Sequence, residues 1–186
     1  GNTAALLMKV PAGQKKTFNL VVCFYRTGIA TTGIKTKYLY TRLFDSLEDV
    51  GEYSLSTADE YKNTCKLMDE KLNGAKLSED QKFMIAHAIK SYSGSTELLE
   101  DMAGKPIWII NEGEDRMMST LDLTVDQLYY EMKMSPWTVK NELDMALDRY
   151  SYYDNVRFPG EDKEYKGGLA FTHDIGFCNV FSRPQY

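Results

Sequence analysis

Residues Lys105 to Met118 read KPIWIINEGEDRMM, an apolar run that ends in an acidic, glycine-containing turn. Ile107 and Ile109 alternate with Trp108 and Ile110, so both faces of the run are apolar and the pattern predicts a fully buried strand. The carboxylates of Glu112 and Glu114 are therefore delivered from inside the protein. Desolvation at such a strand end raises a carboxyl pKa and nearby donors lower it, which is how acid and nucleophile roles are divided between two carboxylates. The competing reading is an ordinary solvated acidic loop.

Working outward, two helices are expected after the turn. Leu121, Val125, Leu128, Tyr129 and Met132 fall on one stripe, and Val139, Leu143, Ala146, Leu147 and Tyr150 repeat its offsets. Ser135 as N-cap and Pro136 at the first helical position account for the restart between them. Upstream, Ser78 and Gln81 form a capping-box signature ahead of Met84, Ile85, Ala88, Ile89 and Tyr92, in a helix ending near Ser93-Gly94. Tyr61, Cys65, Met68 and Leu72 mark an earlier helix. The strand-like runs Ala4 to Val10 and Thr17 to Arg26 predict a hairpin, with a domain boundary near residue 30 where the composition changes. Beyond Tyr153 the chain reads as irregular, with a short run from Leu169 to His173. The expected class is α+β, mainly α.

Composition narrows the function. A net charge of −5 and a pI near 5.1, with no cluster of Lys and Arg, disfavour nucleic acid. No apolar run approaches membrane-spanning length. Cys23, Cys65 and Cys178 are widely spaced and odd in number, which argues against a disulfide framework or structural zinc and for a reducing, cytoplasmic setting. The start at Gly-Asn, without Met or a leader, reads as an internal piece of a longer protein.

Several groups could carry chemistry. His173-Asp174, followed by Ile175-Gly176, offers donors and acceptors suited to sugar hydroxyls. Asp122 and Asp126 form a like-charge i,i+4 pair that something should compensate; the helix dipole and a capping box from Ser119 to Asp122 would do so. His87, alone on a helix, reads as structural. The acids from Asn111 to Asp115 lack calcium-loop spacing, the histidines lack zinc spacing, and no glycine-rich phosphate cradle or nucleophile elbow occurs, so neither metal nor cofactor is expected. What is left is carboxylate chemistry, the setting in which glycoside hydrolysis is common.

The segments GKPIWIINEGEDRMMSTLDLTVDQL, PWTVKNELDM, RYSYYDNVRFPG and FTHDIGFCNVFSRPQY resemble bacterial β-xylosidases of glycoside hydrolase family 52. The likeness extends upstream through VPAGQKKTFNLVVCFYRTG and LSEDQKFMIAHAIKSYSGSTELLE and so covers nearly the whole chain. It implies an N-terminal β-sandwich followed by an (α/α)6 barrel, of which this chain would be the middle. Residues 1–30 would be the last sandwich strands, 31–77 linker helices and 78–186 the first part of the barrel. It also implies a retaining double displacement in an exo-acting enzyme that releases xylose from xylo-oligosaccharides. Glu112 matches the nucleophile and Glu114 does not. The acid/base of the family is an aspartate beyond these residues, so the isolated chain is expected to be inactive.

A β-glucosidase family of the same clan has a similar His-Asp-Leu-Gly motif and an Asn-Thr-x-Asp motif that hold sugar hydroxyls. By that similarity His173, Asp174 and Asp122 become ligands of the −1 sugar, with Ser119 replacing the Asn and Asp115 standing where the family has Tyr. A β-glucosidase and a noncatalytic carbohydrate-binding module are the alternatives. A xylo-oligosaccharide is the expected partner, without nucleic acid or membrane, and homodimerisation is left open.

Overall fold

A computed structural model of the chain describes residues 5–113 and 116–182. It is an α+β arrangement of five α-helices and small antiparallel sheets. Strand β1 (Thr36–Tyr38) leads through a single 3-10 turn into helices α1 (Leu47–Ser56), α2 (Ala58–Asn73) and α3 (Glu79–Ser95). Local chemistry sets where these helices start. Ser46 Oγ accepts from the Asp49 amide at 3.1 Å, and Ser78 and Gln81 close the expected capping box with bonds of 3.2 and 2.9 Å.

The helix α3 runs directly into β2 (Thr96–Asp101), the middle strand of a sheet ordered β1-β2-β3, with β3 spanning Pro106–Ile110. The register pairs Leu99 with Ile107 and Glu97 with Ile109. The expected buried strand is thus present: Ile107, Ile109 and Ile110 are buried and Trp108 is half-buried. The outer edge of β3 is closed by a side chain. Asn141 Oδ1 accepts from the Trp108 amide at 2.7 Å and its Nδ2 donates to the Pro106 carbonyl at 2.9 Å, so one amide imitates a partner strand.

Two further helices, α4 (Leu121–Met134) and α5 (Pro136–Arg149), pack on one another, and α5 packs on β3. A second sheet, β4-β7-β8, joins Met117–Met118 to Gly176–Phe177 and Val180–Phe181. Leu99, Ile107, Ile109, Met118, Tyr150, Ile175 and Phe181 make one core cluster, so both sheets share it.

Five expectations need correction. The hairpin before residue 27 does not form among the described residues, of which Ala4 is not one. Phe18, Leu20, Val22 and Phe24 stay exposed, and a hairpin with no surface against which to bury its apolar face is marginal in water. The stripe on α4 lies partly outward: Val125, Tyr129 and Met132 are exposed and Leu121 and Leu128 half-buried, whereas the buried residues of the helix are Thr124 and Glu131. On α5, Val139 and Tyr150 are buried but Leu143 and Leu147 are not. Ser135 occupies the N-cap position of α5 without a capping bond from its side chain, and α4 begins after Thr120 rather than Ser119. Finally, the tail is not irregular. Strands β5 (Ser151–Arg157) and β6 (Glu164–Phe171) pair across a turn at Phe158-Pro159-Gly160, with an irregularity between Tyr153 and Asn155 that breaks the period-two pattern.

Candidate active site

The acidic turn is the mouth of a tight reversal. Asn111 bridges to Met118, the Glu112 amide donates to the Met117 carbonyl at 2.8 Å, and the Arg116 amide donates back to the Glu112 carbonyl at 2.7 Å. Ser119 ties the base, its amide donating to the Ile110 carbonyl at 2.7 Å and its Oγ accepting from the Ile110 amide at 3.2 Å. Glu112 is half-buried, and Glu114 and Asp115 lie outside the described residues.

The His173-Asp174 motif is shaped by its own carboxylate. Asp174 Oδ1 accepts from the Gly176 amide at 3.0 Å, its Oδ2 faces His173 Nδ1 at 3.3 Å, and the Thr172 hydroxyl donates to its carbonyl at 2.6 Å. Asp174 is half-buried, while His173 is exposed. The glycine that closes the motif has a steric cause: a Cβ on Gly176 would overlap the Val180 carbonyl oxygen and crowd Met118 Sδ. Asp122, in the first turn of α4, joins this pair. The Leu121 amide donates to the His173 carbonyl at 3.1 Å. The Thr120 hydroxyl, the amides of Leu123 and Asp122, and the imidazole of His173 hold the Asp122 carboxyl below its usual range.

Thus Asp122, His173 and Asp174 come together, and a ladder connects them to Glu112. Met118 pairs with Gly176, and the Ile175 amide donates to the Met118 carbonyl at 3.0 Å. The acidic turn and the His-Asp motif are flanks of one sheet. The non-glycine residues with positive φ among those described, Arg116, Ser119, Cys178 and Asn179, all belong to this sheet and its turns. Cys178 and Asn179, at φ 48° and 62°, form the two-residue connection from β7 to β8, a backbone in which L side chains are uncommon. Asp126 is exposed on α4, and His87 stacks on Phe83 at 5.7 Å on the surface of α3.

Two groups escaped the sequence reading. Glu97 accepts from Asn111 Nδ2 at 3.0 Å and from Asn179 Nδ2 at 3.2 Å, beside a cleft of about 230 Å³ also lined by Gly113 and Arg116. Beneath the site, the fully buried Glu131 Oε1 accepts from the Tyr92 hydroxyl at 2.6 Å and Trp108 Nε1 at 3.2 Å, while Thr124 Oγ1 donates to Glu142 Oε2 at 2.6 Å. Among the described residues, no group of three His, Cys, Asp or Glu side chains is disposed to hold a metal ion, and no helix is long and apolar enough to cross a membrane.

The described residues thus place the half-buried carboxylates of Glu112 and Asp174, the exposed carboxylate of Asp122 and the imidazole of His173 around one small sheet. Residues 1–186 match the family model of Glycosyl hydrolase family 52, and the chain belongs to that family. Two proteins of Geobacillus stearothermophilus, each described as a beta-xylosidase, are 55% identical to it over 186 and 182 residues. The matches cover 100% and 98% of this chain but 26% and 29% of those relatives, so the chain spans a little over a quarter of their length.

Proposed function

We propose that this chain is the nucleophile-bearing segment of a retaining, exo-acting β-xylosidase. The observation that carries the proposal is the β4–β7 ladder, which joins the turn bearing Glu112 to the segment after His173-Asp174, with the start of α4 and Asp122 bonded to the His173 carbonyl. Glu112 attacks the anomeric carbon of the non-reducing xylose, a glycosyl–enzyme ester forms, and the leaving oxygen takes a proton from an aspartate outside these residues. Water activated by that same aspartate then cleaves the ester with overall retention. Asp122, His173 and Asp174 hold the hydroxyls of the sugar in the −1 subsite, and no cofactor takes part.

The exposed apolar faces of α2 to α5 support the larger architecture. Leu67, Phe83, Met84, Val125, Leu143 and Leu147 are open here. Large apolar side chains left open on successive helices call for a cover, which the remaining helices of an (α/α)6 barrel would provide. The stretch before residue 30, rich in exposed alternating side chains, would complete its pairing in the preceding β-sandwich.

The test is made in a complete enzyme containing this segment. Glu112→Gly should abolish turnover of an activated aryl xyloside, and added azide should restore it with formation of α-xylosyl azide. Full activity in that variant would remove Glu112 from the nucleophile role. Glu114→Gly should retain substantial activity; its loss with azide rescue would transfer the role to Glu114. Faster hydrolysis of an aryl glucoside than of the xyloside would make the enzyme a β-glucosidase, and no hydrolysis of either would leave sugar binding alone.

A further inference from the structure

Glu97 lies on the middle strand of the first sheet, far in sequence from both of its partners. Its two carboxylate oxygens are divided between two turns: Oε1 receives Asn111 Nδ2 and Oε2 receives Asn179 Nδ2. Asn111 is the residue immediately before Glu112, and Asn179 sits in the positive-φ turn that closes β7 on β8. On the backbone, these turns are already held from other sides. The Asn111 amide donates to the Ser95 carbonyl at 2.8 Å, the Thr32 amide donates to the Asn179 carbonyl at 3.1 Å, and the Cys178 amide donates to the Arg116 carbonyl at 3.0 Å. Among the described residues, Glu97 is the side chain that bonds to both turns, adding a side-chain tie to the direct Cys178–Arg116 backbone bond on the cleft also lined by Gly113 and Arg116.

We propose that Glu97 is a positioning residue that fixes the acidic turn, and with it Glu112, against the β7–β8 turn of the sheet that follows the His-Asp pair. The inference rests on the reading of Glu112 as nucleophile and adds a determinant of its placement. Its chemistry is acceptor chemistry. A carboxylate can accept from two amides at once, whereas a glutamine turns one of its ends into a donor that meets another donor. Backbone in a positive-φ turn stays in place only when its surroundings over-determine it, and Glu97 supplies one of those constraints on Asn179.

The experiment again uses a complete enzyme containing this segment, with an activated aryl xyloside. Misplacing a reacting group by about 1 Å can cost on the order of 100-fold in rate. Glu97→Ala should accordingly lower kcat by about that factor while KM changes by less than about threefold. Glu97→Gln, which keeps one acceptor, should fall between Glu97→Ala and the parent. The decisive variant is Glu97→Gln combined with Asn111→Asp. The glutamine amide then donates to the new aspartate while its carbonyl still accepts from Asn179, both bonds are restored with one negative charge retained, and most of the lost kcat should return. A thermal midpoint for each protein separates this from unfolding.

A parent-like kcat in Glu97→Ala overturns the proposal. So does a rise in KM with kcat intact, which would make Glu97 a substrate contact, and so does failure of the double variant to recover kcat while it remains folded. Glu112→Gly is run in parallel. If azide rescues Glu112→Gly but Glu97→Ala is fully active, the positioning role alone fails. If Glu112→Gly keeps activity, the nucleophile reading fails and the role assigned to Glu97 fails with it.

Discussion

Glu131 and Glu142, on the facing helices α4 and α5, bring two carboxyl groups together in a buried cleft where neither is more than 5% exposed. Burial pushes the Glu142 carboxyl up to about 8, assisted by the neighbouring Glu131 and opposed by the bond from Thr124. The facing oxygens Glu131 Oε2 and Glu142 Oε1 receive no donor from other described groups, so a proton kept by Glu142 is the donor that the pair requires.

A stability window follows, with a definite sign. The folded pKa of Glu142 lies above its unfolded value, so the folded state holds the extra proton between about pH 4.5 and 8 and loses stability as pH rises through that interval. Glu142→Gln keeps a donor toward Glu131 at every pH. Urea unfolding of a complete enzyme at pH 5 and at pH 8 should show the variant gaining on the parent by a few kcal/mol across the interval. A difference that stays constant between the two pH values would refute the shared proton.

Asn141 should behave as a surrogate strand. Replacing it with Ala leaves the Trp108 amide and the Pro106 carbonyl unpaired at the edge of β3, at a cost of about 1–3 kcal/mol. Asn141→Asp retains the acceptor for Trp108 but loses the donor to Pro106, so its denaturation midpoint should lie nearer the Ala variant than the parent. Hydrogen exchange at the Trp108 amide should accelerate in the Ala variant and not in the Asp variant.

Two glycines should respond in opposite ways to the same substitution. Gly176→Ala drives a methyl group into the Val180 carbonyl and against Met118, and should destabilise by about 1–3 kcal/mol while separating β7 from β8. Gly51 lies within α1 with open space around its Cβ position, so Gly51→Ala should stabilise by about 0.5–1 kcal/mol. Thermal midpoints of the two variants decide the matter.

The 186 residues taken alone should not melt cooperatively. With Leu67, Phe83, Val125, Leu143 and Leu147 open to water, calorimetry should give a broad transition, and the dye ANS should bind. A sharp transition without dye binding would show that these faces need no cover.

Local signals were legible in the sequence, and signals that depend on distant partners were not. The Ser78–Gln81 capping box and the Ile107–Ile110 strand rest on neighbouring residues, and both are present. The inward face of α4 could not be deduced from periodicity. Val125 and Tyr129 are 62% and 87% exposed, while Glu131 is drawn inward by donors from Tyr92 and Trp108 in other elements. The site divides in the same way. His173, Asp174 and Gly176 form a contiguous motif whose bonds are local, whereas Glu97 acquires its partners 14 and 82 residues away through sheet register. The hairpin β5–β6 is not legible in the sequence because its irregularity at Tyr153/Asn155 disrupts the alternation that marks a strand.

Pairing of β4 with β7, and of Thr32 with Val180, also has a temporal consequence. On the ribosome, the acidic turn emerges long before the strand that braces it. Until Phe177 has left the exit tunnel Met117 and Met118 lack their ladder, and until Asn179 follows Glu97 lacks one of its two amides. Translation therefore delivers Glu112 early and the strands that hold its turn late, leaving an interval in which nascent Ile107–Ile110 has apolar surface to shield from other chains.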